Sequence, residues 1–265
     1  ELDSDPAAPR LLLAEAQYES SQFAATARTI TDLLLHLQSK GGGSDNELAT
    51  AHRLRAVATG KLLLADAQTD HQQEIAAART SFRWLDGKKL LDAQLRTAWA
   101  EFETAAKATA EAVGIYSRAL ADNPDDLALL AAVVDTAVAG GDPKLAVDAL
   151  QKRSDAAGLW YLGRARFSVA SDLRTAGRID DAIAELDRAR GCFEQSMGKN
   201  KDFADSCQQW VAICLGKKGN ALLAQKKWDD AEKWLVEAGK TRPDQVNQDL
   251  GLQETIKMGV LKLAD

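Results

Sequence analysis

Two pairs of adjacent carboxylates, Asp180-Asp181 and Asp229-Asp230, are the residues whose types first suggest chemistry, because neighbouring acids can share general acid and general base roles. Each pair falls at the start of a predicted helix, where free amide groups and the helix dipole favour acidic side chains, so structural capping is the better account. His71 and Glu74 stand one turn apart, as in half of a metal site. A usable site needs three or four converging ligands, and an exposed, polar first helical turn with Asp70 near its start is the expectation instead. His36 and His52 belong to no HExxH pattern, and no GxSxG, Walker-type loop or GxGxxG occurs. Cys192, Cys207 and Cys214 form no CxxC pair and read as small buried apolar residues, with one disulfide left open. No catalytic, metal-binding or cofactor-binding residue is therefore expected, and no cofactor. The tryptophans at 84, 99, 210, 228 and 234 are expected in the core; Trp160, beside Tyr161 near a helix start, is the least committed.

The elements that hold these residues follow from composition. The 265 residues include only 5 prolines, with an excess of Ala, Leu, Lys, Glu, Asp, Gln and Arg, which lose little freedom in a helix. Apolar residues make up 46% and charged residues 27%, enough to bury a core. The class is all-α. Helices are expected at 9–19, 22–39, 45–68, 70–86 and 88–121 (with a bend near Lys107), then 125–139, 143–155, 157–176, 179–198, 201–225, 228–240 and 244–263. The Gly41-Gly42-Gly43-Ser44 stretch cannot hold a helix and reads as a loop, natural or engineered. A formal charge of −6 gives no general attraction for nucleic acid or anionic lipid. No apolar run approaches the ~20 residues that span a bilayer. The chain begins at Glu1 without an initiator Met and reads as an excised piece. Localisation thus stays open, with the cytoplasm as the default and a removed signal or anchor as the alternative.

Self-similarity is the main signal. Ala112, Tyr116, Ala119 and Pro124 recur as Ala231, Leu235, Ala238 and Pro243, with the same offsets of 4, 7 and 12 from the first Ala. Ala146 lies 34 residues after Ala112, preceded by Gly140-Gly141-Asp142-Pro143, and Ala182 lies 36 residues further on. The 49 residues from Ala182 to Ala231 exceed one unit, so the helices on either side of Asn200 should be extended. This pattern resembles the tetratricopeptide (TPR) family over about residues 110–245. The resemblance implies an α-solenoid of stacked antiparallel helix pairs, with about 11–12 helices in the whole chain. It is taken as one domain over 1–265, with divergent hairpins in 1–107 and clearer repeats in 108–265. Leu11, Tyr18 and Ala27 can be placed in the same frame, and the family commonly carries acids where Asp180-Asp181 and Asp229-Asp230 stand.

The resemblance also implies a binding surface. The first helix of each pair lines the concave face, and its inward positions, mapped from Ala182, are Arg164, Phe167, Ser171 and Arg174, with Asn220 equivalent in the last unit. Two guanidiniums beside a ring would suit an acidic peptide, and Asn220 an extended peptide backbone. The neighbouring unit offers Ala128, Ala131, Asp135 and Val138, and the two arginines have a plain alternative as solvated charges with structural partners. The leading function is a non-enzymatic scaffold that binds a protein or peptide. The alternatives are a regulatory segment of a larger protein and a self-assembling solenoid. No nucleic-acid partner and no membrane insertion are expected.

Overall fold

The computed structural model describes residues 7–66 and 69–242. The expected helix at 244–263 lies outside them. Among the described residues there are twelve α-helices and no strand. The chain divides into two compact units, 1–122 and 123–265. In the first, α1 (Ala7–Glu19), α2 (Phe23–Ser39), α3 (Asp45–Ala65), α4 (Gln72–Gly87), α5 (Ala93–Ala105) and α6 (Thr109–Asp122) form three consecutive pairs. In the second, α7 (Leu127–Ala139), α8 (Lys144–Leu150), α9 (Ala156–Thr175), α10 (Ile179–Lys199), α11 (Ala204–Ala224) and α12 (Trp228–Thr241) form three more. A short 3-10 turn, Lys201–Phe203, precedes α11.

Five of the six pairs share one turn geometry. In α1–α2, α5–α6, α7–α8, α9–α10 and α11–α12, the chain leaves the helix through a residue with φ between 58° and 78°: Ser21, Lys107, Gly141, Gly177 and Lys226. Each turn is closed by the same two backbone bonds. In α9–α10, Gly177 N–H donates to Arg174 O at 3.0 Å and Arg178 N–H to Leu173 O at 2.8 Å. This is the Schellman arrangement, which satisfies carbonyls that the helix end leaves unpaired. The bend expected near Lys107 is such a turn, so residues 88–121 hold two helices. The Gly-rich loop ends at Ser44, whose hydroxyl and Glu47 form a capping box for α3.

The aligned small residues lie inside. Ala112, Ala146, Ala182 and Ala231 are all at most 1% exposed, and Tyr116, Leu186 and Leu235, four residues on, are buried as well. Two glycines mark close approaches between paired helices in the second unit. A Cβ on Gly163 would sit 2.7 Å from the Phe193 ring, and one on Gly219 would sit 2.6 Å from Leu235 Cγ. The three cysteines are free and buried, as expected, and burial pushes the Cys214 thiol up to about 12. Both helices flanking Asn200 have 21 residues, which absorbs the long spacing.

Several expectations need correction. Helix α8 stops at Leu150 rather than 155, because Arg153 turns to bond Pro124 O at 2.7 Å and Asp155 at 2.7 Å, while Asp155 caps α9 through Gly158 N–H. The Asp180-Asp181 and Asp229-Asp230 pairs lie in first helical turns, where the helix dipole favours them, but not at the cap positions, which Arg178 and Lys227 occupy. Asp181 instead pairs with Arg178 at 2.6 Å, and Asp180 accepts from Gln225 at 2.9 Å. His71 is buried rather than exposed, with Nε2 3.2 Å from Asp66 O. Of the six tryptophans only Trp99 is buried; the others sit half-buried at the edges of the core.

A polar cluster lies inside the α3–α4 pair. Ser81 Oγ accepts from Arg55 Nε at 2.7 Å and lies 3.1 Å from His52 Nδ1, while the Trp84 ring stacks on His52 at 4.4 Å. Burial holds His52 down to about 4 and Arg55 down to about 10. A lowered histidine pKa means that the unfolded chain takes up the proton first as the pH falls below about 6.5.

Two outcomes are expected. Gly163→Ala should lower stability by about 1–2 kcal/mol in urea unfolding, whereas Gly191→Ala, where a Cβ would meet nothing within 4 Å, should raise it by about 0.5–1 kcal/mol. Equal effects would mean that close approach to Phe193 is not limiting. Stability should also fall between pH 6.5 and 4 by on the order of 2–3 kcal/mol more in wild type than in His52→Gln; parallel curves would remove His52 as the cause.

Candidate functional site

The residues mapped onto the inner face of α9 separate into two groups. Arg164 is already engaged: Nη2 lies 3.2 Å from Asp135 Oδ1 on α7, and its guanidinium sits over the rings of Trp160 at 5.3 Å and Tyr161 at 5.9 Å. Burial pushes the Tyr161 phenol up, with Arg164 opposing and Asp135 adding to the shift. Phe167 meets Trp210 of α11 edge-on at 5.2 Å, and Trp210 stacks on the core residue Phe193 at 5.5 Å. Phe167 thus packs α9 against α11. Trp160 is fixed by an indole N–H donated to Ser206 Oγ at 3.0 Å. Ser171 and Arg174, further along α9, are exposed, and the Arg174 guanidinium has no partner among the described residues. Asn220 on α11 is half-buried, and its Oδ1 is buried without a hydrogen-bond donor among the described residues. An orphan acceptor of this kind is uncommon in folded proteins.

The first unit holds a larger feature with no counterpart in the mapped residues. A groove of about 1010 Å³ runs between α1, α3 and α5, the first helices of their pairs. Helix α3 supplies a stripe at Asn46, Thr50, Arg53, Val57, Lys61 and Leu64, whose 3–4 spacing places them on one face. Facing it are Thr97, Ala98 and Glu101 of α5 and Tyr18 of α1. Arg53 reaches Asp92, the residue capping α5, at 3.5 Å. Leu64 is 65% exposed and Leu90 41%, so the groove keeps apolar surface in contact with water. The signal was present at Leu62-Leu63-Leu64: on a helix only two of three consecutive leucines can face a core, and the third must point elsewhere.

Six consecutive helix pairs, closed for the most part by one turn type and by buried alanines at matched positions, decide the architecture. The fold is a tetratricopeptide-like helical repeat. No family model and no curated protein matches the chain. Among solved structures it is similar to the apo form of RapI, at 14% identity over 91% of this chain and 67% of that one, with a TM-score of 0.40. It is also similar to the TPR domain of P58(IPK), at 15% identity over 100% of this chain and 81% of that one, with a TM-score of 0.27. No described helix is long and apolar enough to cross a membrane, and no group of three candidate metal ligands occurs among the described residues.

The two halves of the α9 row should behave differently. Phe167→Ala should cost about 1–3 kcal/mol of stability, while Arg164→Ala and Arg174→Ala should each stay within about 1 kcal/mol of wild type. Thermal unfolding of the three variants checks this; a Phe167→Ala protein as stable as wild type would return Phe167 to the set of free surface residues.

Proposed function

We propose that the chain works as a non-catalytic scaffold that receives a peptide or protein partner on the inner faces of its first helices. The observation that carries this reading is the α1–α3–α5 groove. It combines a long concavity, small residues such as Ala49, Gly60 and Ala98 that admit a close backbone, and exposed leucines at Leu64 and Leu90. Affinity at such surfaces comes from a few apolar anchors with a polar rim, and no bound cofactor is required. The exposed Ser171–Arg174 end of α9, with Asn220 on α11, is the second surface we assign to partner binding, suited to an acidic or extended segment. Arg164 and Phe167 support it from behind, through Asp135 and Trp210. The net charge of −6 speaks against nucleic acid as the partner.

The test is partner capture followed by affinity measurement. Val57→Arg/Ala98→Arg places two charged, bulky groups in the groove, and Arg174→Glu reverses the charge at the end of α9. We expect the groove variant to weaken the captured partner by tenfold or more with circular dichroism unchanged, and Arg174→Glu to weaken it by less. Undiminished binding by the groove variant, with loss in Arg174→Glu, would move the principal surface to α9. Undiminished binding by both would remove the inner faces as the partner site.

A further inference from the structure

A second cleft, of about 360 Å³, opens between α4 and α6 and shares no lining residue with the groove. Three arginines face it: Arg79 and Arg83, one turn apart on α4, and Arg118 on α6. Arg79 is held by Glu103, which is 3% exposed: its Nε lies 3.1 and 3.2 Å from the two carboxylate oxygens and its Nη2 2.7 Å from one of them. Trp99 Nε1 also donates to Glu103, at 3.2 Å. The buried charge is thereby matched, and the Arg79–Glu103 pair forms a fixed, neutral wall.

Arg83 and Arg118 are different. Both are exposed, and neither has a carboxylate within 4.0 Å among the described residues; Arg118 lies only against the Trp99 ring, at 5.8 Å. Elsewhere in the same unit Arg53 and Arg96 each have an aspartate partner. The remaining carboxylate at the cleft is Glu111, on the α6 face that also carries Gly114 and Arg118. Gly114 leaves the floor open, since a Cβ there would meet nothing within 4 Å. The cleft thus offers two guanidiniums without an ion-pair partner, from two helices, around a space larger than a phosphate group, with Glu111 the one remaining carboxylate and its charge felt by Arg79.

We propose that this cleft binds a phosphomonoester dianion, gripped between Arg83 and Arg118. A carboxylate presents two oxygens in one plane and suits a single guanidinium fork. A phosphoryl group presents three oxygens in divergent directions and a charge of about −2 near neutral pH, which matches two forks approaching from different helices. The bound group is carried by a phosphorylated side chain of a partner polypeptide, for which the volume leaves room beyond the phosphate itself. The site does not depend on the groove reading, because the two share no lining residue and neither gripping arginine stands on a groove-lining position.

The experiment is a titration of ¹⁵N-arginine-labelled protein, read at the arginine Nε–H resonances. The probes are a phosphoserine-centred random peptide mixture, the same mixture with serine, and inorganic phosphate. The expected result is a saturable shift at Arg83 and Arg118, with an apparent Kd on the order of 1 mM or tighter for the phosphoserine mixture and no saturation with the serine mixture. Arg83→Gln/Arg118→Gln should weaken it at least tenfold. Gly114→Leu, which fills the floor while favouring the helix, should do the same without removing either charge. Equal affinity for inorganic phosphate would keep the site and assign it to a free phosphate ester. Shifts that rise linearly, that appear equally at Arg28 and Arg174, or that survive Gly114→Leu would overturn the proposal.

Discussion

The closeness with which paired helices approach is the constraint on which the rest depends. Helices come within contact of each other's backbones only where side chains are small, and here those positions are Ala112, Ala146, Ala182, Ala231, Gly163 and Gly219. Phe193 and Leu235 fill the space that the two glycines leave. That interlock sets the depth at which α9 sits on α10 and α11 on α12. The depth in turn decides which residues of each first helix are left facing solvent. A stack of pairs can then bury a continuous core with side chains that, in any one pair, would be exposed.

The turns show how tightly the chain is held to this plan. A left-handed residue closes most of the pairs, and glycine supplies it at only some of them; Ser21, Lys107 and Lys226 adopt the same φ despite its cost of about 1–2 kcal/mol for an L side chain. The two backbone bonds at each turn and the helix packing beyond it hold them there. Residues 1–107, whose sequence carries little of the repeat signature, use this turn as well, at Ser21 and Lys107. The change in sequence character near residue 107 is therefore not the division between compact units, which falls after Asp122.

Polar groups inside the units follow a different logic from those outside. Glu103 is buried because Arg79 and Trp99 satisfy it, and His52 is kept neutral beside Arg55 because burial penalises a second charge. The Asp180-Asp181 pair, which resembles catalytic acids, is satisfied by neighbouring turns: Asp181 by Arg178, and Asp180 by Gln225 of the following pair. Half-buried tryptophans border the core and take cations on their faces, as Trp234 takes Lys218 at 3.8 Å. Aromatic and charged residues thus meet at the rims of the units.

By itself the sequence determined the class, the pairing of helices and most of the boundaries. Helix propensity and the recurrence of small and large residues at offsets of 4 and 7 are local properties, legible along the chain. It also carried the burial of the cysteines and the added length around Asn200. It could not decide which of several equally spaced residues were free. Arg164 and Arg174 stand on one helix, yet Asp135 on a different helix pairs with the first and no described residue pairs with the second. The groove of the first unit and the arginine cleft were hidden for the same reason. Each is made by residues from three or more helices whose meeting depends on packing depth and rotation, quantities that exist only once the pairs have stacked.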